Sequence, residues 1–106
     1  MSEVIQHNMS YDGKNDILVV HNGFENHESF KTNELIGDLV LDISTSDMIR
    51  GIEVMNASSF FGKFGLKKDD LANLKDVQLD THGSLLSLSF LVKGKSAPMY
   101  AKINLN

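Results

Sequence analysis

Strict alternation of apolar and polar residues near the C-terminal end is the feature that most limits how this chain can fold. In the stretch LLSLSFLV, Leu86, Leu88 and Phe90 alternate with Ser87 and Ser89. Successive side chains of a β-strand point to opposite faces of a sheet, so this pattern places an apolar face against a core and a polar face toward solvent. The stretch therefore predicts one strand of an antiparallel sheet.

The segments on either side of this strand continue the alternation and are separated from it by turn-forming residues. Val77 and Leu79 precede a turn at residues 81–84, and alternation returns at residues 99–105 after a loop at residues 93–98. The C-terminal part of the chain therefore predicts a strand-rich unit.

Two further hairpins are predicted in the N-terminal half. Strands at residues 9–11 and 17–21 flank a turn rich in Gly, Asp and Asn, which suit a tight reversal of direction. Strands at residues 39–43 and 48–55 flank the polar loop at residues 44–47. Between the hairpins, the sequence ESFKTNEL can hold a short edge strand.

The stretch NASSFFGKFGLKKDDLANLKD breaks this alternation. Asn56 or Ser58 can cap a helical turn, and Asp69 and Asp70 precede Leu71 where a helix dipole favours negative charge. We therefore expect an α+β fold, mainly β, in which a curled antiparallel sheet built from hairpins carries one or two short helices between its halves.

Composition indicates a single domain over residues 1–106, with hairpins at residues 9–60 and a short helix plus strands at residues 61–106. The chain is 42% hydrophobic and 23% charged, as ordinary globular domains are. Its 10 Lys and Arg residues are scattered and are outnumbered by 14 Asp and Glu residues, which argues against direct nucleic-acid binding. The absence of cysteine excludes disulfides, thiolate metal ligands and cysteine nucleophiles.

The apolar runs are too short for a membrane span, and the N-terminal sequence MSEVIQHNMS lacks the features of a signal peptide. These features predict a cytoplasmic protein without membrane contact.

Three blocks of the N-terminal half match, in order, the sequence patterns of a known protein family. They follow the patterns Y-D-x-x-x-D-x-L, an apolar strand ending in Asp, and G-x-E-[IV]-x-x-A. The matching residues are Tyr11, Asp12, Asp16, Leu18, Val40, Asp42, Gly51, Glu53, Val54 and Ala57. Over residues 9–60 the chain resembles the small-protein family called domain of unknown function 2283. The resemblance implies a small β-rich fold with no assigned enzyme activity, and an antitoxin-like role for some short members.

The first candidate site is acidic. In its predicted strand, Glu53 points away from the apolar face, as a solvated carboxylate or one that accepts backbone N–H groups would. Alternatively, several polar side chains converge into a pocket that binds a ligand or partner, or that hydrolyses a substrate. The pocket candidates are Asp16, Asp42, Glu53 and Asn56.

A second candidate site lies in the polar loop that follows the first hairpin. His21, Glu25 and His27 are residue types that ligate zinc, but a solvated loop has the same composition and no second cluster adds ligands. We therefore expect no metal or other cofactor. Motifs such as G-x-S-x-G are absent, so no catalytic residue is predicted and an enzyme is the less favoured class.

The third candidate is the apolar segment SSFFGKFGL, which contains Phe60, Phe61, Phe64 and Leu66. These side chains either plug the open end of the sheet or form a surface for a protein partner or for self-association. The leading hypothesis is a non-enzymatic interaction module, and an antitoxin-like protein is its most specific form. The alternative is a small-ligand-binding or hydrolytic protein that uses the acidic residues.

Overall fold

The computed structural model describes residues 8–105 and divides them into eight strands and two short helices. The strands are β1 (Asn8–Asp12), β2 (Ile17–His21), β3 (Phe30–Ile36), β4 (Leu39–Ser44), β5 (Ile49–Val54), β6 (Leu74–His82), β7 (Leu85–Val92) and β8 (Met99–Asn104). The helices are α1 (Ala57–Gly62) and α2 (Lys68–Ala72). The expected α+β class, mainly β, is confirmed, as are the short helices between two strand-rich parts.

The strands form two antiparallel sheets, whereas a single curled sheet was expected. The first sheet has the order β1-β2-β5-β4-β3, and the second has the order β6-β7-β8. After β5 the chain passes through both helices before β6 begins. Among the described strands β6 pairs with β7 and not with a strand of the first sheet. Both predicted N-terminal hairpins are present, as the pairs β1–β2 and β4–β5.

Both sheets direct one apolar face into a shared core. From the first sheet the core takes Leu18, Val20, Leu39, Leu41, Ile52 and Val54, and from the second it takes Val77, Leu79, Leu86, Leu88, Phe90 and Ala101. The helices add Ala57, Phe61 and Leu71. The alternation that predicted β7 is confirmed, because its apolar face is buried against this core.

The predicted edge strand is also present, as β3 at one end of the first sheet. Of the described strands it pairs only with β4, and its first six residues are exposed to solvent on both faces of the sheet. This strand therefore extends beyond the part of the first sheet that the core covers.

The helices are short, and within residues 8–105 no helix is long and apolar enough to cross a membrane. Asn56 occupies the N-cap position of α1 with φ 51°, but its side chain makes no capping hydrogen bond there. In the first turn of α2, Asp70 accepts a hydrogen bond from the backbone N–H of Lys67 at 2.9 Å. This bond, followed by the Lys95 ammonium group, lowers the pKa of Asp70.

Candidate functional site

The turn between β1 and β2 is held by Asp12. Its Oδ1 atom accepts hydrogen bonds from the backbone N–H groups of Lys14 at 3.0 Å and Asn15 at 3.1 Å. Its Oδ2 atom accepts a third bond from the side-chain amide of Asn15 at 2.8 Å. Because the carboxylate closes its own turn in this way, Asp12 has a structural role.

Asp16, at the other end of the turn, connects the hairpin to α1. Its Oδ1 atom accepts hydrogen bonds from the Tyr11 hydroxyl at 2.5 Å and from the Ser58 N–H at 3.0 Å, and its Oδ2 atom accepts one from the Ser58 hydroxyl at 2.6 Å. Its backbone carbonyl accepts a bond from the N–H of Ala57. A distant residue therefore supplies the cap that Asn56 does not.

These contacts alter the ionisation of both partners. Burial acts to raise the pKa of Asp16, but hydrogen bonds from Ser58 and Tyr11 outweigh it and lower that pKa. Burial, followed by the bond to Asp16, raises the pKa of Tyr11 to about 12. The two shifts together favour a protonated Tyr11 hydroxyl and an ionised Asp16 carboxylate.

On the outer face of the first sheet, the face directed away from the core, His21, Gly51 and Asp42 form a row across β2, β5 and β4. The His21 Nε2 atom lies 3.5 Å from Asp42 Oδ2. A Cβ atom at position 51 would clash with His21 Cδ2, so glycine is what allows the ring to cross β5. His21 Nδ1 also accepts the N–H of Gly23 at 2.8 Å. Both ring nitrogens thus face protein groups, which suits a structural histidine rather than a general base.

Glu53 lies one step along the same outer face, opposite Val19 on β2 and Val40 on β4. The prediction that it points away from the apolar face is confirmed, since its neighbours Ile52 and Val54 are buried while Glu53 is partly exposed. Within residues 8–105 the Glu53 side chain has no hydrogen bond or ion pair. Glu53 is therefore a carboxylate on the outer face with no side-chain partner among the described residues.

The structure separates the four predicted pocket residues into two places. Asp42 and Glu53 share the outer face as diagonal neighbours. Asp16 lies at the junction between the hairpin and α1, and Asn56 is exposed nearby with its amide 3.4 Å from Asp38 Oδ1. The carboxylate of Asp16 is fully engaged by Tyr11 and Ser58, so it does not converge with the other two.

The polar loop that follows β2 packs on Arg50. The guanidinium Nε donates to Glu28 Oε1 at 2.6 Å, and one terminal nitrogen lies 3.5 Å from Glu25 Oε2. His27 lies 3.8 Å from the same Glu25 oxygen. Across the described part of the chain, no group of three His, Asp or Glu side chains is arranged to hold a metal ion. Of the three candidate ligands, Glu25 and His27 contact each other in this loop, whereas His21 contacts Asp42.

Sequence reasoning missed the Glu28–Arg50 pair, because 22 residues separate two polar side chains that no motif connects. The Glu28 side chain is fully buried. Burial acts to raise the pKa of Glu28, but the Ser44 hydroxyl and Arg50 lower it to about 2. The pair therefore attaches the loop to the start of β5 as a buried ionised contact.

The phenylalanine segment divides between core and surface. Phe61 and Leu66 are buried, and the Phe61 ring packs edge-on against Phe90 with centroids 5.1 Å apart. Phe60 and Phe64 pack against the core but remain partly exposed. A partner surface at this segment would consequently consist of Phe60 and Phe64.

These two rings line a cleft of about 490 Å³, which we call the aromatic cleft. Its apolar wall also includes Ile36 and Leu39 beside the β3–β4 turn, and Ile103 and Leu105 near the end of β8. The aromatic cleft thus lies where α1 and the edges of both sheets meet.

The rim of the aromatic cleft carries two lysines. Lys63 places its ammonium nitrogen 4.4 Å from the centre of the Phe60 ring, within cation–π range, and Lys102 reaches the cleft from β8. Neither lysine forms an ion pair within residues 8–105. Asp38, the acidic residue on the lining, faces the Asn56 amide. No local signal joins Lys63 to Lys102 in the sequence, since the fold alone brings them together.

The fold and these sites define a small α+β protein of two open antiparallel sheets, with a structural hairpin–helix junction and an apolar cleft. The family described as "Protein of unknown function (DUF2283)" matches residues 8–58, which confirms the resemblance in the N-terminal half. The match covers the five-stranded sheet and ends at Ser58, the residue that Asp16 caps. No curated protein and no solved structure matches the chain.

Proposed function

We propose that this protein is a non-enzymatic interaction module and that its aromatic cleft binds a segment of a protein partner. The observation that carries the proposal is the different burial of neighbouring phenylalanines. Phe61 is fully buried and supports the fold, whereas Phe60 and Phe64 keep partly exposed rings over the aromatic cleft. Partly exposed aromatic rings around a concave apolar surface are typical of sites where a partner inserts a side chain.

The chemistry of the rim indicates which segments would bind. Lys63 and Lys102 lie without ion pairs in the described part of a chain whose net charge is −4. A bound segment that presents a carboxylate beside a large apolar side chain would pair with a lysine while filling the aromatic cleft. Such complementarity contributes to specificity and to the association rate more than to affinity.

The test is an affinity purification of the tagged full chain from its native host, with mass spectrometry of stoichiometric partners. Phe64→Ser is expected to weaken binding of the captured partner by about tenfold or more, as truncation of an interface hot spot does. Tyr100→Ser is the matched control, because Tyr100 is exposed on β8 and does not line the aromatic cleft.

Far-ultraviolet circular dichroism of both variants establishes that they fold. Retention of the partner by folded Phe64→Ser, or equal loss in both variants, would remove the aromatic cleft as the binding site.

An antitoxin-like role is the most specific form of this proposal. In that role the partner would be a protein that arrests growth of its host, and co-expression of this chain would restore growth. Co-expression with Phe64→Ser would restore growth less well, while Tyr100→Ser would act as the unmodified chain does.

The alternative class, a small-ligand-binding or hydrolytic protein, is favoured by one observation. Glu53 is a carboxylate without a side-chain partner in the described residues, and Asp42 lies beside it. Binding or turnover of a small molecule that is lost in Glu53→Gln and unchanged in Phe64→Ser would support this class over the interaction module.

A further inference from the structure

The edge strand β3 has one unpaired edge and two solvent-exposed faces. Among the strands of residues 8–105 it is hydrogen-bonded to β4 alone, along one side, and residues 30–35 are exposed on both faces. Leu35 is 74% exposed and Phe30 is 50% exposed, which places both among the most exposed large hydrophobic side chains described. A strand edge of this kind presents unpaired N–H and C=O groups to any extended segment that approaches it.

We propose that β3 pairs with β3 of a second copy of this chain, antiparallel and with Asn33 opposite Asn33 of the second copy. The pairing would join two five-stranded sheets into one continuous sheet. It goes beyond the proposed function, since it uses a different surface and needs no other protein.

Symmetry limits the registers that such a dimer can adopt. Directly opposed residues of an antiparallel pair point to the same face, so a closed dimer needs a twofold axis perpendicular to the sheet. One residue must therefore lie opposite its own copy, and residues at equal distances on either side of it then face each other.

Repulsion between like charges makes two of these registers unfavourable. An axis at Lys31 would place two ammonium groups directly opposite each other, and an axis at Glu34 would do the same with two carboxylates. Directly opposed like charges destabilise a strand pair. An axis at Thr32 would place the exposed ring of Phe30 opposite the charged Glu34, so this register is unfavourable as well.

An axis at Asn33 gives compatible pairs throughout. Thr32 lies opposite Glu34 of the second copy, where a hydroxyl can donate to a carboxylate, and the two Asn33 amides can bond to each other. Lys31 lies opposite Leu35. Its ammonium group is held by Asp47 at 2.6 Å, and its methylene chain can cover the exposed apolar side chain of Leu35.

A β-bulge in the pairing of β3 with β4 limits the length of the proposed β3–β3 contact. The register shifts between Phe30 and Thr32, which makes Lys31 the extra residue of a bulge. Bulges bend a strand and interrupt regular pairing, so the regular part of the new pair spans residues 32–34, and Lys31 and Leu35 meet at its two ends. A contact this short implies a weak, concentration-dependent dimer rather than an obligate one.

Single cysteines test the register directly, because the chain contains none. Asn33→Cys is expected to form a disulfide-linked dimer under mild oxidation about tenfold faster than Thr32→Cys or Glu34→Cys, since only position 33 lies opposite itself at a separation a disulfide can bridge. All three positions are exposed, so each variant should keep the fold. Equal rates in the three variants, or faster linkage at Thr32, would overturn the proposal.

A charge pair at position 35 gives a second test by sedimentation equilibrium. Leu35→Glu would lie beside Lys31, whose ammonium group is paired with Asp47 at 2.6 Å, and is expected to keep association, whereas Leu35→Lys would add a second ammonium group there and weaken association by about tenfold. Overall charge predicts the reverse order, because an added carboxylate increases repulsion between chains of net charge −4. Stronger association of Leu35→Lys would therefore contradict the pairing. Association of Phe64→Ser should be unchanged, which separates this test from that of the aromatic cleft.

Discussion

The carboxylate of Asp16 holds the first turn of α1 through Ser58, which lies 42 residues further along the chain. The Tyr11 hydroxyl donates to the same carboxylate, so the β1–β2 hairpin and the helix share one polar contact. Two of the three residues belong to the Y-D-x-x-x-D pattern that carries the family resemblance. This pattern therefore has a structural explanation: it closes the hairpin turn and attaches that turn to α1.

Asp16→Ala should lower the free energy of unfolding by about 1–2 kcal/mol, as loss of a helix cap does. Urea denaturation followed by circular dichroism would measure the change. The control is Asp80→Ala, which removes an exposed carboxylate on β6 that has no hydrogen bond in the described residues. Similar losses in both variants would contradict the capping role.

Gly51→Ala should destabilise the protein by about 1–3 kcal/mol, because the new Cβ atom would force the His21 ring to move. Gly62→Ala is the matched control, since a Cβ at position 62 meets no atom within 4 Å. The His21→Ala change should remove most of the penalty at position 51. A double-mutant cycle by chemical denaturation measures this coupling, and additive effects would argue against the contact.

Glu28 should make stability depend on pH in the acid range. Its folded-state pKa is lowered from 4.5 to about 2, so its contribution is complete above pH about 4.5 and is lost as the pH falls toward 2. Glu28→Gln should therefore flatten the stability profile between these values while changing its shape little near neutral pH. Denaturation midpoints measured across this range would show the difference, and parallel profiles would exclude a lowered pKa.

Phe61→Ala should cost about 3–5 kcal/mol, as deletion of a buried aromatic ring does. Phe60→Ala should cost clearly less, because its ring is partly exposed at the aromatic cleft. Thermal or urea unfolding of the two variants compares adjacent phenylalanines in one helix. Equal losses would mean that both rings serve the core, and would weaken the case for a partner at the aromatic cleft.

Much of the fold could be predicted because short-range patterns decide it. The alternation of leucine and serine in β7, the Asx- and Gly-rich turn after Asp12, and the acidic first turn of α2 each depend on residues within a few positions of one another. The candidate sites were harder to predict. Asp16 was predicted as a pocket residue, whereas in the structure its carboxylate caps α1 through Ser58. Ser58 was considered only as a possible cap, and the pairing between them was not foreseen.

The sequence by itself determined which segments become strands, which face of each strand is apolar and where the chain turns, because these follow from side-chain period and local backbone preference. Only the tertiary structure decided that the strands divide into two sheets, that Phe61 is buried while Phe60 and Phe64 line a cleft with Lys102, and that Glu28 pairs with Arg50. These outcomes depend on contacts between residues far apart in the chain, and such contacts form only when the apolar faces of both sheets are buried together.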